Sequence, residues 1–179
     1  MDLYSERGFE NTTVAEIAQR AGLAERTFFR YFADKREVLF GGAGPLQEFL
    51  VRRVDDAPAS LSPMEVIVAA LAETATVVFD DRREFARRRQ AVIAANAELR
   101  ERELIKLASL TAALADALRR RGVGEPAASL AAEAGMAVFK VAFERWTAER
   151  GGRTLAEVVR ASADELEAVT ATRRPTPRR

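Results

Sequence analysis

Three times this chain writes a hydroxyl residue, two spacers and a glutamate at the head of an apolar-periodic run: Thr13–Glu16, Ser62–Glu65 and Thr154–Glu157. That spacing is a capping box. The hydroxyl accepts an N–H of the first helical turn while the glutamate reaches back to the N–H of the capping residue, satisfying two orphan donors at once. A chain that signals its starts this way, and shows no alternating β pattern of useful length, is expected to be all-α. The stop signals agree: Gly8 and Gly22 close short segments, and Gly122 follows Arg119-Arg120-Arg121, cations suited to a helix C-terminus. Ala supplies 35 of the 179 residues. It is the best helix former yet buries little surface, so composition also favours a helical bundle.

These signals predict short helices over 2–7, 13–21 and 25–32, then one capped by Asp34 whose stripe runs through Val38 and Leu39. Gly41, Gly42, Gly44 and Pro45 must break or kink that helix before it resumes through Leu46, Phe49 and Leu50. Longer helices follow: Ser62 to about Phe79, Asp80 to about Ala95, Asn96 as cap to the arginine run, Pro126 to near Gly151, and Thr154 to about Val169. About nine helices result. They divide into a small three-helix head over residues 1–41 and a larger helical body over 42–172, with a disordered basic tail over 173–179.

Composition removes most chemistry. With no Cys and no His, disulfides, thiol nucleophiles, Cys/His zinc sites and Ser–His–Asp arrangements are excluded. An enzyme would depend on Asp/Glu pairs, yet the acids sit at caps or on charged faces such as Arg100–Glu103. Gly41-Gly42-Ala43-Gly44 lacks the Gly-Lys-Ser/Thr of a phosphate loop and follows no strand. No cofactor and no metal is expected. No apolar run approaches the ~20 residues that span a bilayer, and no signal peptide opens the chain, so a soluble cytoplasmic protein is expected. The formal net charge is +1, but residues 12–36 carry five cations against three acids.

The head carries the sharpest pattern. Two short helices separated by Gly22-Leu23, with a third leading in, fit a helix-turn-helix. Val14, Ile17, Ala18 and Ala21 form one apolar face and Leu23, Phe28 and Phe32 the matching one, while Gly22 can take the positive φ of a tight turn. Arg26, Thr27, Phe29, Arg30 and Tyr31 then lie on the side a recognition helix presents to a major groove. Arg can pair bidentately with guanine and Thr can meet a base edge or a thymine methyl. Tyr31, Lys35 and the Thr13 hydroxyl suit phosphates.

The string Asn11-Thr12-Thr13-Val14-Ala15-Glu16-Ile17-Ala18-Gln19-Arg20-Ala21-Gly22-Leu23, then Thr27-Phe28-Phe29-Arg30-Tyr31-Phe32 and Lys35, closely resembles the DNA-binding head of the tetracycline-repressor (TetR) family. The resemblance covers residues 1 to about 40. It implies phosphate contacts from Thr13 and Lys35, base reading led by Arg26 and Thr27 with Arg30 beside them, and packing of Phe29 and Tyr31 on the backbone or a thymine methyl. In the family the first helix has further turns before the segment matching Leu3–Gly8, so the resemblance also implies an N-terminal stretch upstream of Met1.

The body resembles, on Arg100-Glu101-Arg102-Glu103-Leu104-Ile105-Lys106-Leu107 and the Ala/Leu run Ala112–Leu118, an actinobacterial TetR subgroup of acyl-CoA-like ligand-binding regulators that includes mycofactocin-system regulators. Val78, Phe79, Phe85, Ile93, Met136, Phe139, Phe143 and Trp146 fall at helical spacing among Ala-rich turns. They are either ordinary core or the wall of an effector pocket. Arg82-Arg83 and Arg87-Arg88-Arg89 are either a solvated face or a phosphate clamp. Stripes on the last two helices, Leu130, Met136 (or its neighbours Ala134 and Val138), Val141 and Ala142, and Leu155, Val158, Val159, Ala163, Leu166 and Val169, either close the monomer or form a four-helix dimer interface. The resemblance implies a homodimeric repressor released from a palindromic DNA operator by a small hydrophobic or acyl-CoA-like effector. A constitutive helix-turn-helix DNA-binding protein without an effector is the alternative.

Overall fold

All three capping boxes form. In the computed structural model, which describes residues 1–41, 43–149 and 151–171, Thr13, Ser62 and Thr154 each accept from the backbone N–H of Glu16, Glu65 and Glu157, and each glutamate accepts in return. The described residues contain ten helical segments and no strand, in an N-terminal head and a larger body. The head comprises α1 (Asp2–Arg7), α2 (Val14–Arg20), α3 (Glu25–Tyr31) and the single turn α4 (Glu37–Phe40). The body comprises α5 (Ala43–Asp55), α6 (Pro63–Phe79), α7 (Arg83–Ala95), α8 (Ala97–Arg120), α9 (Ala127–Ala148) and α10 (Leu155–Thr170). The interruption expected from the glycines separates α4 from α5; Gly42 itself lies outside the described residues, as does the tail expected over 173–179.

Two cores result. The larger one is built from α5, α6, α8, α9 and α10 around Val54, Ile67, Leu71, Leu114, Leu118, Trp146, Leu155, Val158 and Val159, each at most 1% exposed. Burying each such aliphatic side chain contributes about 1.5–3 kcal/mol. At the α6–α9 crossing, Gly135 has no side chain because Ile67 and Leu71 fill its place: a Cβ there would overlap Cγ2 of Ile67 outright. The smaller core joins head to body. Tyr4, Phe9, Leu39 and Phe40 pack with Ile93 of α7 and Leu99 of α8.

Three sequence expectations change in detail. Asn96 begins α8 but its side chain does not cap it; the amide donates instead to Val92 O at 2.6 Å. Asn96 also terminates α7 in extended backbone, and its side chain closes that helix rather than opening the next. Ala21 and Leu23 are exposed, Leu23 at 46%, so the packed face of the helix-turn-helix narrows to Ala18 and Phe28 with Ile17, Val14 and Phe32 half-buried. The stripes on α9 and α10 also divide: Met136, Val138, Ala142, Leu155, Val158 and Val159 are taken by the chain's own core. Only Leu130, Val141 and Val169 stand out to solvent among their large apolar members, at 64%, 50% and 80%. These helices meet α6 as well as each other, and the contact turns most of both stripes inward.

Candidate nucleic-acid interface

The recognition surface starts from local chemistry at Thr13. Its hydroxyl accepts from Glu16 N at 3.2 Å and donates to a Glu16 carboxylate oxygen at 2.9 Å, fixing where α2 begins. Arg7 and Arg20 tie α2 back to α1 through Glu16 and Glu6. At the other end Gly22, with φ +69, takes a left-handed conformation that disfavours a side chain. Leu23 N then donates to Ala18 O at 2.9 Å, and α3 starts two residues later.

Within α3 the side chains separate by face. Phe28 is buried and stacks against Phe29 (ring centroids 5.5 Å apart, edge-on) and Phe32 (5.2 Å). Phe29 and Tyr31 are 54% and 66% exposed, Arg26 and Arg30 are exposed, and Thr27 is half-buried beside them. Arg30 lies over the Tyr31 ring at 4.8 Å and donates to its hydroxyl at 2.9 Å, so the two side chains present one flat cationic surface. Among the described residues neither Arg26 nor Arg30 pairs with a carboxylate, whereas Arg7 of α1 and Arg20 of α2 do. Positive charge left uncompensated beside exposed aromatic rings is the composition of a surface that meets polyphosphate and base edges.

Lys35 is engaged within the head itself. Its ammonium donates to Phe9 O at 2.9 Å, Glu10 O at 3.3 Å and Thr12 O at 3.0 Å, and lies 4.4 Å from the Phe9 ring centroid. All three of its donors therefore close the loop between α1 and α2. Tyr4 completes the tie by donating to Lys35 O at 2.5 Å. Burial and then the nearby Asp34 carboxylate push the Tyr4 phenol up, which keeps that donor protonated.

In the body, four of the eight expected pocket residues come together. Phe79 meets Phe139, Phe143 and Trp146 at centroid distances of 6.4, 5.6 and 6.3 Å, and Phe143 meets Trp146 at 5.8 Å. Met136 belongs to the same core. Phe85 is 44% exposed and Ile93 sits in the head–body core, so neither joins the cluster. Two open cavities, about 280 and 410 Å³, lie elsewhere: one at the head by Leu3, Ile17 and Val38, the other by Leu61, Val66 and Leu118. The arginine run divides by role. Arg83 lies over Trp146 at 5.0 Å and donates to the carbonyls of Glu149, Gly151 and Arg153, while Arg88 reaches Asp2 at 3.2 Å and Arg89 reaches Leu39 O at 2.9 Å. Sequence reading missed the seam in which Arg102 and Lys106 of α8 pair with Glu37 of the head and Arg89 reaches Leu39 O, although Arg102 and Lys106 share a face of α8 at i,i+4 spacing. Among the described residues no cluster of His, Cys, Asp or Glu could hold a metal, and no helix is long and apolar enough to cross a membrane.

Comparison with known proteins matches both parts of the chain. Residues 1–40 match the family of bacterial regulatory proteins, tetR family, and residues 61–171 match the MftR C-terminal domain. A Mycobacterium tuberculosis protein assigned as MftR, mycofactocin biosynthesis transcriptional regulator, is 29% identical over 126 residues, 70% of this chain and 63% of that one. The HTH-type transcriptional regulator TcmR of Streptomyces glaucescens is 33% identical over 70 residues, 39% of this chain and 31% of its own. The matched part thus spans under two thirds of either relative. The crystal structure of Thermus thermophilus FadR, solved with lauroyl-CoA, shares the fold at 24% identity and a TM-score of 0.53, covering 99% of this chain and 94% of that chain.

Proposed function

The chain belongs to the tetR family of bacterial regulatory proteins, with a C-terminal domain of the MftR type, and from that premise we propose a ligand-responsive repressor acting in the cytoplasm. In this reading a homodimer holds a palindromic operator and leaves it when a small hydrophobic or acyl-CoA-like effector enters the body. Members of the family are DNA-binding transcriptional regulators, not enzymes. The observation that carries the operator reading is the α3 face: Arg26 and Arg30 without carboxylate partners beside exposed Phe29 and Tyr31. Arg26 and Thr27 read base edges, Arg30 and Tyr31 act as one unit, and Thr13, whose hydroxyl proton is committed to Glu16, fixes where α2 begins beside them. Lys35 supports these contacts by holding the α1–α2 loop. A duplex neutralised at several phosphates loses affinity steeply with salt.

Dimerisation through α9 and α10 would cover Leu130, Val141 and Val169 and set two heads on successive turns of DNA. The effector reading rests on the Phe79–Phe139–Phe143–Trp146 cluster, which Arg83 caps from α7. The same α7 touches the head through Arg88, Arg89 and Ile93, so a ligand that parts the rings displaces a helix bound to the head. Such a ligand works only by favouring one of two arrangements. The lauroyl-CoA in the Thermus protein belongs to that protein, and its likeness to this chain is one of fold. The closed packing of the ring cluster favours the second reading, a constitutive DNA-binding protein.

Two titrations separate these. Gel shifts against the DNA upstream of its own gene, at two salt concentrations, should show salt-dependent binding that Arg26→Ala and Tyr31→Ala each lower at least about tenfold, the scale of a lost base or phosphate contact. Retained binding in both variants would sink the α3 assignment. Melting temperatures across a panel of acyl-CoA esters and free fatty acids should rise with ligand concentration for a true effector. A flat response to the whole panel would leave the constitutive reading.

A further inference from the structure

The four-residue α4 is too short to hold its own conformation, since a helix nucleus of this length is unfavourable alone. What it touches therefore fixes it. At its start, Glu37 accepts from Arg102 Nε at 2.9 Å and a second Arg102 nitrogen on one oxygen, and from Lys106 Nζ at 3.3 Å on the other. The Glu37 side chain is 17% exposed, so this charge is drawn from solvent and matched by cations from consecutive turns of α8. At its end, Leu39 O accepts from Arg89 of α7 at 2.9 Å, and the buried Phe40 ring lies between Arg89 at 5.0 Å and Lys106 at 5.9 Å. Arg89 is held in turn by Glu103 at 3.1 Å. The head is bound rigidly to α4: Asp34 accepts from Arg36 N and Glu37 N, and Lys35 and Tyr4 lock the loop that precedes α2.

We propose that Glu37 is a positioning residue for operator binding: gripped by Arg102 and Lys106, it sets the angle of the head on the body and thereby the spacing between the two recognition helices of a dimer. Glu37 touches no DNA in this arrangement. Arg36, at the cap of α4, also pairs with Glu98 of α8, so the grips at the start of α4 and those at its end define both its tilt and its rotation, which a greasy contact through Phe40 alone would leave loose. The carboxylate is shared by two α8 side chains, so its loss removes the ion pair of both cations together. The inference rests on the operator reading above and concerns geometry rather than contact.

The test uses the whole chain. It contains no cysteine, so Gln19→Cys on α2 and Ala112→Cys on α8 place two spin labels at exposed positions without background. Diluted into unlabelled chain, the pair reports the head-to-body distance with no DNA present. Glu37→Gln should broaden that distance distribution, and Glu37→Asp should restore most of its sharpness. A duplex selected by the parent from a random-sequence pool then serves as probe, beside versions with one base pair added or removed at its centre. Glu37→Gln should lower the preference for the selected spacing about tenfold, within the range that couplings between sites span. Arg102→Gln, which leaves Glu37 its contact with Lys106, should act in the same direction and covers the case in which Glu37→Gln fails to fold. Unchanged distance distributions and unchanged spacing preference in these variants would overturn the proposal. A parent that selects no duplex would overturn the operator reading, and the label distances alone would then decide whether Glu37 sets the angle.

Discussion

Lys35 illustrates how one side chain can close a loop through backbone carbonyls. Its three hydrogen bonds go to backbone carbonyls of residues 9, 10 and 12, with its cation also over the Phe9 ring. Lys35→Met should therefore lower the stability of the head by about 2–3 kcal/mol, the worth of bonds from a charged donor, measured by urea unfolding. Its operator binding should keep the parent's slope against salt, because no phosphate contact is lost. A slope reduced by about one would mark a phosphate ligand instead and refute this placement. Side-chain type made an exposed cationic and aromatic surface on α3 legible in the sequence: Arg26, Phe29 and Tyr31 are exposed beside the buried Phe28. The role of Lys35 was not legible, because its partners lie more than 20 positions upstream and are carbonyls, which every residue carries.

At the level of helices, the sequence announced its starts well and its crossings poorly. A capping box is closed within four residues, so Thr13–Glu16, Ser62–Glu65 and Thr154–Glu157 could be recognised without tertiary knowledge. The same boxes carry a pH consequence. Hydrogen bonds from the Thr13 backbone and hydroxyl hold Glu16 below the ordinary carboxylate value of 4.5, and those from the Ser62 side chain and backbone do so for Glu65. A carboxylate lowered in the folded state stabilises fully above its unfolded value and loses that contribution as pH falls through the folded one. Thermal melting should accordingly change little from pH 7 to 5 and decline below about 4.5, with Glu65→Gln declining less steeply than the parent. By contrast, the pairing of Gly135 with Ile67 joins residues 68 positions apart and left no local trace. Gly135→Ala forces that crossing open and should cost about 1–3 kcal/mol, as overpacked cores do. Adding Ile67→Ala should cost less than the sum of the two single changes, read from urea midpoints; strict additivity would show that the crossing relaxes elsewhere. The ring cluster was half legible for the same reason, since helical spacing identifies apolar faces but not which of them meet.

For the molecule as a whole, division into a small head and a larger body was readable from helix lengths, whereas the seam between them was not. Tests of assembly belong at this scale. Leu130→Glu with Val141→Glu should yield a folded monomer by light scattering and weaken operator binding strongly, because a lone head keeps only its own phosphate contacts. A dimer that survives both charges would move the interface elsewhere. The seam itself is a shared hydrophobic core: Ile93 and Leu99, both 0% exposed, lie more than 50 positions after the head, yet they complete the packing of Tyr4, Phe9, Leu39 and Phe40. The head is thus not an interchangeable cassette. Grafted at residue 41 onto a foreign body, it would arrive with one wall of its interior missing, and a working chimera must import the first turns of α8 and the last turns of α7 along with it. Recombination among relatives is then confined to exchanges that keep these three segments together.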